Sequence, residues 1–298
     1  MKLQDNAIDM DTPVFYYNGS LHRETDGPVS ASSRAVHYGD GVFETMRSRN
    51  GLIFRLESHL ERLRAGLHVL RIPLPDRGRL RAAVRDVLQA NALPEASVKI
   101  LAFRDGPPGP TPAATHEPCV LITAAPFDPE ALRSCAAGVS ARTASIRRDE
   151  TSPLSAIKSL NYLDSIIARM EAADHGDREA LLLNCQGRVA EGAASNVFAL
   201  QGGRLLTPLP AEGALPGITR RTVLEIAHTL GIPCDEAALT PEELKRAGEA
   251  FLTNAGAGIM PLTMLDGHPV GAGTPGPVTL RCQEAYDQLF ARETEQSA

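Results

Sequence analysis

Residues 59–70, HLERLRAGLHVL, carry leucines at 60, 63, 67 and 70 with arginines between them, a helical period that predicts one apolar stripe. The period changes in VKILAF (98–103) and CVLITA (119–124), short apolar runs that predict strands. Upstream, HYGDGVFETMRSRNGLIF (37–54) reads as a strand through Phe-Glu-Thr that reverses at Asn50-Gly51, a tight-hairpin dipeptide. A polar, proline-containing passage from Pro126 to Arg133 interrupts the pattern, and VSARTASI (139–146) restarts it as a strand. Leu163, Ile166, Ile167 and Met170, at spacings 0, 3, 4 and 7, predict an amphipathic helix. Strands follow at EALLLN (179–184) and SNVFAL (195–200), with a turn at Cys185 to Gly187 between them. Val223, Ile226, Ala227 and Leu230 then mark a further helix face beyond the break at Pro216-Gly217.

These helices and strands make the chain mixed α and β, and α+β is the class expected. Its 298 residues exceed one typical folding unit, and 43% hydrophobic residues suffice for two cores. The division expected is residues 1–125, a linker over 126–136, and 137–298. Pro and Gly concentrate at 105–112, 207–217 and 267–277, which read as loops.

Charge and composition narrow the function. A formal net charge of −6 with no dense Lys/Arg block argues against nucleic acid as a partner. The first thirty residues hold Asp5, Asp9, Asp11, Glu24 and Asp26 and no apolar segment, so no secretory signal is expected, and no run reaches membrane-spanning length. Five cysteines, about 16 to 50 residues apart and without a C-x-x-C pair, read as reduced thiols of a cytoplasmic protein. No histidine cluster has metal-ligand spacing, so no metal is expected.

Four local features could carry chemistry, and each has a plainer reading. Lys158, in SAIKSLNYLDSI (155–166), precedes the predicted helix among Ile157, Leu160 and Leu163. Burial would make its amine a usable nucleophile, whereas a snorkelling side chain would keep its charge in water. Glu191, in VAEGAASNVF (189–198), stands beside small residues that leave room for a flat ligand, or is an exposed carboxylate on a hairpin rim; Ser195 and Asn196 are turn residues or face that ligand. Gly217, Ile218 and Thr219 open a helix whose free N–H groups suit a phosphate, unless Thr219 merely caps it. Arg55, after LIF, offers a planar fork to phosphate or pairs with Glu57 or Glu61.

As an ordered series, YGDGVFE, FRLESHLERL, KSLNY, EGAASNVF and LPGITR resemble the fold type IV pyridoxal phosphate enzymes, the aminotransferase class IV family. Branched-chain aminotransferases, D-amino-acid aminotransferases, R-selective amine transaminases and aminodeoxychorismate lyase belong to it. The resemblance runs from YYNGS (16–20) to GPVT (276–279). It implies a small N-terminal domain, a larger domain on a β-barrel-like sheet flanked by helices, and a homodimer with the site between the domains.

The resemblance also implies roles. Lys158 matches the lysine that holds pyridoxal 5′-phosphate as an imine, and Glu191 the carboxylate that keeps the pyridine nitrogen protonated. Arg55, Gly217, Ile218 and Thr219 match the phosphate cup. Tyr162 resembles the tyrosine bonded to the ring's phenolic oxygen, one residue nearer the lysine than in branched-chain enzymes, and Ser195 and Asn196 line the cofactor face. TNAGAG (253–258) sets Asn254 and Ala255 where branched-chain enzymes carry a threonine that binds phosphate and substrate; the Asn254 form looks more like the lyase. Tyr38 and Phe43 border the substrate pocket. The D-amino-acid enzymes' Arg-x-His trap is not evident in FRDGPPGPTP (103–112), although Arg104 offers a charge to a carboxylate. The implied reaction is ping-pong transamination between an amino acid or primary amine and a 2-oxo acid, with branched-chain substrates favoured. A lyase that releases pyruvate and a non-catalytic cofactor-binding protein are the alternatives.

Overall fold

The computed structural model describes residues 12–107, 109–112 and 117–295. Residues 1–11, part of the span read for a secretory signal, and Pro108 in the first Pro/Gly loop lie outside the described residues.

The N-terminal part is an antiparallel sheet of β1 (Val14–Tyr17), β2 (Ser20–Arg23), β3 (Gly41–Arg49), β4 (Leu52–Ile53), β5 (Ala96–Phe103) and β6 (Cys119–Pro126), in the order β2-β1-β6-β5-β3-β4. Helices α1 (Arg34–Tyr38), α2 (Leu56–Val69) and α3 (Arg77–Ala90) belong to the same stretch. Asn50 and Gly51, at φ 54° and 75°, turn the β3–β4 hairpin in the left-handed conformation that this dipeptide tolerates. Strand alternation then divides the sheet's faces. Val42, Met46, Val98 and Ile100 pack with Leu60, Leu63 and Leu67 of α2 and Val84 and Val87 of α3 in one core. Phe43, Thr45, Lys99 and Leu101 stand on the other face, Phe43 opposite Leu101 and Thr45 opposite Lys99. That face is one wall of the site described below. In α2, Gly66 lets the helix approach, since a Cβ there would lie 2.9 Å from Val42 Cγ1.

After the short α4 (Glu130–Arg133), the chain builds a nine-stranded sheet. It contains β7 (Val139–Arg148), β8 (Glu179–Asn184), β9 (Val189–Gly192), β10 (Asn196–Gln201), β11 (Arg204–Thr207), β12 (Cys234–Glu236), β13 (Glu249–Asn254), β14 (Gly258–Leu265) and β15 (His268–Pro269). The order is β12-β11-β10-β13-β14-β7-β8-β9, with β15 paired to β14. The last strand returns to the middle of the path, because Gly192 at the end of β9 bridges Ser195 just ahead of β10. The sheet therefore curls into a half-barrel. Helices α5 (Leu163–Ala173), α6 (Ile218–Thr229), α7 (Pro241–Lys245) and α8 (Pro277–Glu293) accompany it.

The helix period at 163–170 is borne out, but its apolar stripe faces outward. Leu163, Ile166, Ile167 and Met170 are 70%, 46%, 45% and 61% exposed. The buried side is Ser165, Ala168 and Ala172, and the two alanines pack with Ala144, Ala180, Leu182 and Ala193. Small side chains let α5 lie close on β7 and β8, and the larger ones are left on its exposed side among the described residues.

The two sheets share side chains. Ile157 packs into the N-terminal core, and Phe54 packs with Tyr286 and Phe290 of α8 at ring distances of 5.6 and 5.1 Å. Among the described residues no helix is long and apolar enough to cross a membrane.

Candidate active site

A cavity of about 700 Å³ lies against the outer face of β3 and β5, with the ends of β9 and β13 and the start of α6 on its other side. Lys158 reaches it from an irregular segment ahead of α5. That segment runs along β3: Phe43 N–H donates to the Lys158 carbonyl at 2.9 Å, and Leu160 N–H donates to the Gly41 carbonyl at 2.9 Å. The Lys158 Nζ stands 4.3 Å from the centroid of the Phe43 ring and 5.7 Å from that of Tyr162. Burial, helped by the nearby Arg62 charge and opposed by Glu44 and Glu191, lowers the amine pKa to about 8. The snorkelling reading is thus set aside: the amine is held inside, against rings.

Glu191 is buried rather than on an exposed rim. A register shift between Leu182 and Leu183 lies alongside it in the β8–β9 ladder. Its Oε2 accepts from Leu215 N–H at 2.8 Å and from Asn196 Nδ2 at 3.2 Å, and Arg148 Nη2 lies 3.3 Å from its Oε1. Burial pushes its carboxyl up, against the Arg148 charge, the Leu215 N–H and the Lys158 charge. A carboxylate held by directed donors in this way presents a fixed acceptor at the cavity wall.

Asn196 joins this carboxylate to the next element. Its Nδ2 also donates to the Leu215 carbonyl at 2.8 Å, and its Oδ1 packs against Gly217, where a Cβ would lie 2.0 Å away. Gly217 is the residue before α6 and has no side chain with which to cap that helix, and Ile218 and Thr219, whose N–H groups open it, line the cavity. Thr219 lies in the first turn and is not the cap. Tyr162 lines the cavity, donates to the Ala193 carbonyl at 2.9 Å and meets Phe43 edge-on. Ser195, also lining it, donates to Glu179 at 2.9 Å. Asn254 and Ala255 line the far side, where Asn254 Oδ1 accepts from Gly256 and Ala257 N–H at 3.1 and 2.7 Å.

Three expected residues are not brought there. Arg55 ends in ion pairs with Glu225 of α6 at 2.9 Å and Glu293 of α8 at 3.1 Å, because Phe54 is drawn into the α8 core and carries its neighbour with it. The ion-pair reading of Arg55 therefore holds, but with partners distant in sequence. Arg104 is buried against Asp40 at 3.0 Å and the Leu70 carbonyl, and so is engaged in structure rather than at the cavity. Tyr38 is 45% exposed on the surface, with the Arg34 guanidinium 5.0 Å from its ring centroid.

The cationic position that Arg55 was expected to supply is held by Arg62, seven residues and two turns further along the same stretch FRLESHLERL. Arg62 Nη1 donates to the Pro216 carbonyl at 3.2 Å, next to the open end of α6. Its remaining fork lies on Glu44, which also accepts from His59. The same stretch could have offered Arg62 as a candidate, since it is the arginine that lies within α2, whereas Arg55 precedes the helix at φ 55°. Lys99, Arg148 and Thr253 also reach or support the cavity without having been singled out. Alternation along β3 and β5 was the available signal for Lys99.

A partly buried amine, a buried carboxylate and a glycine-led helix start beside an arginine can hold an aromatic aldehyde that carries a pyridine nitrogen and a phosphate. A family model described as amino-transferase class IV matches residues 41–265. The branched-chain-amino-acid aminotransferase of Escherichia coli K12 is 37% identical over 292 residues, 94% of each chain. A crystal structure of the E. coli branched-chain enzyme superposes with a TM-score of 0.90 at 34% identity, covering 96% of this chain and 97% of that one. The branched-chain aminotransferase of Thermobaculum terrenum, solved in its PLP form, gives 0.84 at 29% identity over 94% of this chain and 95% of that one. The chain belongs to the aminotransferase class IV family, with its fold type IV architecture, and is a pyridoxal 5′-phosphate-dependent aminotransferase.

Proposed function

We propose that the chain moves amino groups between branched-chain amino acids and a 2-oxo acid in two half-reactions at the cavity. The observation that carries this is Lys158 Nζ lying 4.3 Å from the Phe43 ring, so that the reactive amine opens onto an apolar wall that continues to Leu101. The names of the similar branched-chain enzymes point the same way.

Pyridoxal 5′-phosphate, when bound, supplies an electron sink for the substrate's α-carbon. Lys158 holds it, and once released accepts and returns a proton at Nζ as general base. Glu191, fixed by Leu215, Asn196 and Arg148, would accept from the pyridine nitrogen. Arg62 and the N–H groups at Gly217 to Thr219 take the phosphate, a role in which Arg62 replaces Arg55. Tyr162, Ser195, Asn196, Asn254 and Ala255 line the cavity and would hold the ring. Phe43 borders the substrate, and Lys99, on the same wall, gives a cation for a carboxylate.

The two sheets act as two domains divided near residues 126–136. The outward stripe of α5 supports a homodimer, in which Tyr38 closes the partner's site. The enzyme works in the cytoplasm. Mixing holoenzyme with L-leucine, D-alanine or an R-amine tests the reading through its visible absorbance. Bleaching by L-leucine is expected, and an unchanged spectrum with L-leucine would reject branched-chain transamination. Pyruvate released from aminodeoxychorismate would move the assignment to the lyase.

A further inference from the structure

The β10–β13 register sets Thr253 directly opposite Asn196, so both side chains stand on one face of the half-barrel. Asn196 Nδ2 is engaged with Glu191 and the Leu215 carbonyl. Thr253 is 1% exposed and lines the cavity, yet its Oγ1 is buried without a hydrogen-bond partner among the described residues. Other buried hydroxyls nearby are used: Thr207 donates to the Val197 carbonyl at 2.8 Å, Thr222 to the Ile218 carbonyl at 3.0 Å, and Ser195 to Glu179. A buried hydroxyl seldom stays unpaired, because it has given up water for nothing. The protein around Thr253 offers no acceptor among the described residues, and the cavity is the side from which one can come.

We propose that Thr253 is a cofactor-binding residue whose Oγ1–H donates to an oxygen of bound pyridoxal phosphate. This rests on the reading that the cofactor occupies this cavity. The hydroxyl is held ready by the strand, so its contribution is to affinity.

Thr253→Val keeps the shape and removes the donor; Thr253→Ser keeps the donor. Equilibrium binding of pyridoxal phosphate to apoenzyme is expected to weaken about tenfold in Thr253→Val and to stay within about twofold in Thr253→Ser. The melting temperature of the apoenzyme is expected to be unchanged or raised by Thr253→Val, with a smaller rise on adding cofactor. Repeating the titration with pyridoxal locates the acceptor. A loss seen only with pyridoxal phosphate marks the phosphate, and an equal loss with both marks the ring; either supports the proposal. Equal affinity of Thr253→Val and wild type would overturn it, as would a lowered apoenzyme melting temperature with an unchanged cofactor response. If wild-type apoenzyme bound no pyridoxal phosphate, the reading of the cavity itself would fall instead.

Discussion

Arg62 meets the carboxylate of Glu44 through two parallel hydrogen bonds, Nε to Oε1 at 2.8 Å and Nη2 to Oε2 at 2.7 Å, while His59 Nδ1 stands 2.7 Å from the same Oε2. Glu44 is wholly buried because the even-numbered positions of β3 face the core, and the fork fixes the direction in which Arg62 reaches. The remaining Nη1 is left beside Pro216, at the start of α6.

Arg62→Lys retains the charge and loses the fork. It is expected to weaken pyridoxal phosphate binding by about ten- to a hundredfold, as for loss of a charge-assisted hydrogen bond. Arg55→Ala is expected to change that affinity less than about twofold, and to lower stability by about 1 kcal/mol through its two partly exposed ion pairs. Equilibrium dialysis of both apoenzymes, alongside urea midpoints, separates the two arginines. The opposite ranking would return the phosphate role to Arg55.

Burial pushes the Glu44 carboxyl up, but the charge and hydrogen bonds of Arg62, with His59, override it and hold the pKa at about 2. A carboxyl whose folded pKa lies below its unfolded value of 4.5 contributes stability that is fully present above that value and lost as pH falls toward 2. The contribution is roughly 3 kcal/mol. Urea unfolding at stepped pH is expected to show wild type losing this between about pH 4.5 and 2. Glu44→Gln should be less stable at neutral pH and flatter over that window.

With its pKa near 8, Lys158 is neutral in roughly a tenth of molecules at pH 7, against a few in ten thousand for an ordinary lysine. Uptake of pyridoxal phosphate by apoenzyme, followed in a stopped-flow spectrophotometer, should accelerate with pH up to about 8 and level off above it. A rate that keeps climbing toward about pH 10 would show an unperturbed amine. Lys158→Ala should lose the borohydride-reducible bond altogether.

Gly217→Ala would place a methyl group 2.0 Å from Asn196 Oδ1. Asn196 must then move, releasing the Leu215 carbonyl and Glu191. A cost of about 1–3 kcal/mol in stability is expected from the overpacking, together with weaker cofactor binding. Thermal melts with and without pyridoxal phosphate check both effects, and an unchanged cofactor response would show that Asn196 does not support the site.

Leu163 and Met170 project from α5, 70% and 61% exposed among the described residues. Burying each in a dimer contributes about 1.5–3 kcal/mol. The double change to Asp should raise the dimer dissociation constant by at least about a thousandfold. Light scattering is expected to find a dimer for wild type and a monomer for the variant, and a monomeric, fully active wild type would reject the dimer.

Local pattern determined much of this protein. Helix and strand periods, the Asn50-Gly51 hairpin, the glycine before α6 and the ordered series around Lys158, Glu191 and Thr219 are properties of neighbouring residues, and neighbours set backbone geometry and side-chain faces. The assignment of Arg55 and the meaning of the stripe on α5 were decided elsewhere. Which arginine enters the cavity depends on Phe54 being drawn toward α8, more than about 220 residues away in the chain. Which face of α5 is covered depends on alanines from β7, β8 and the β9–β10 turn that permit close approach. The Thr253 hydroxyl, unpaired among the described residues, is visible only once β13 lies beside β10. Period gives a residue its direction on its own element, but what it meets there is supplied by distant segments, and only packing brings those together.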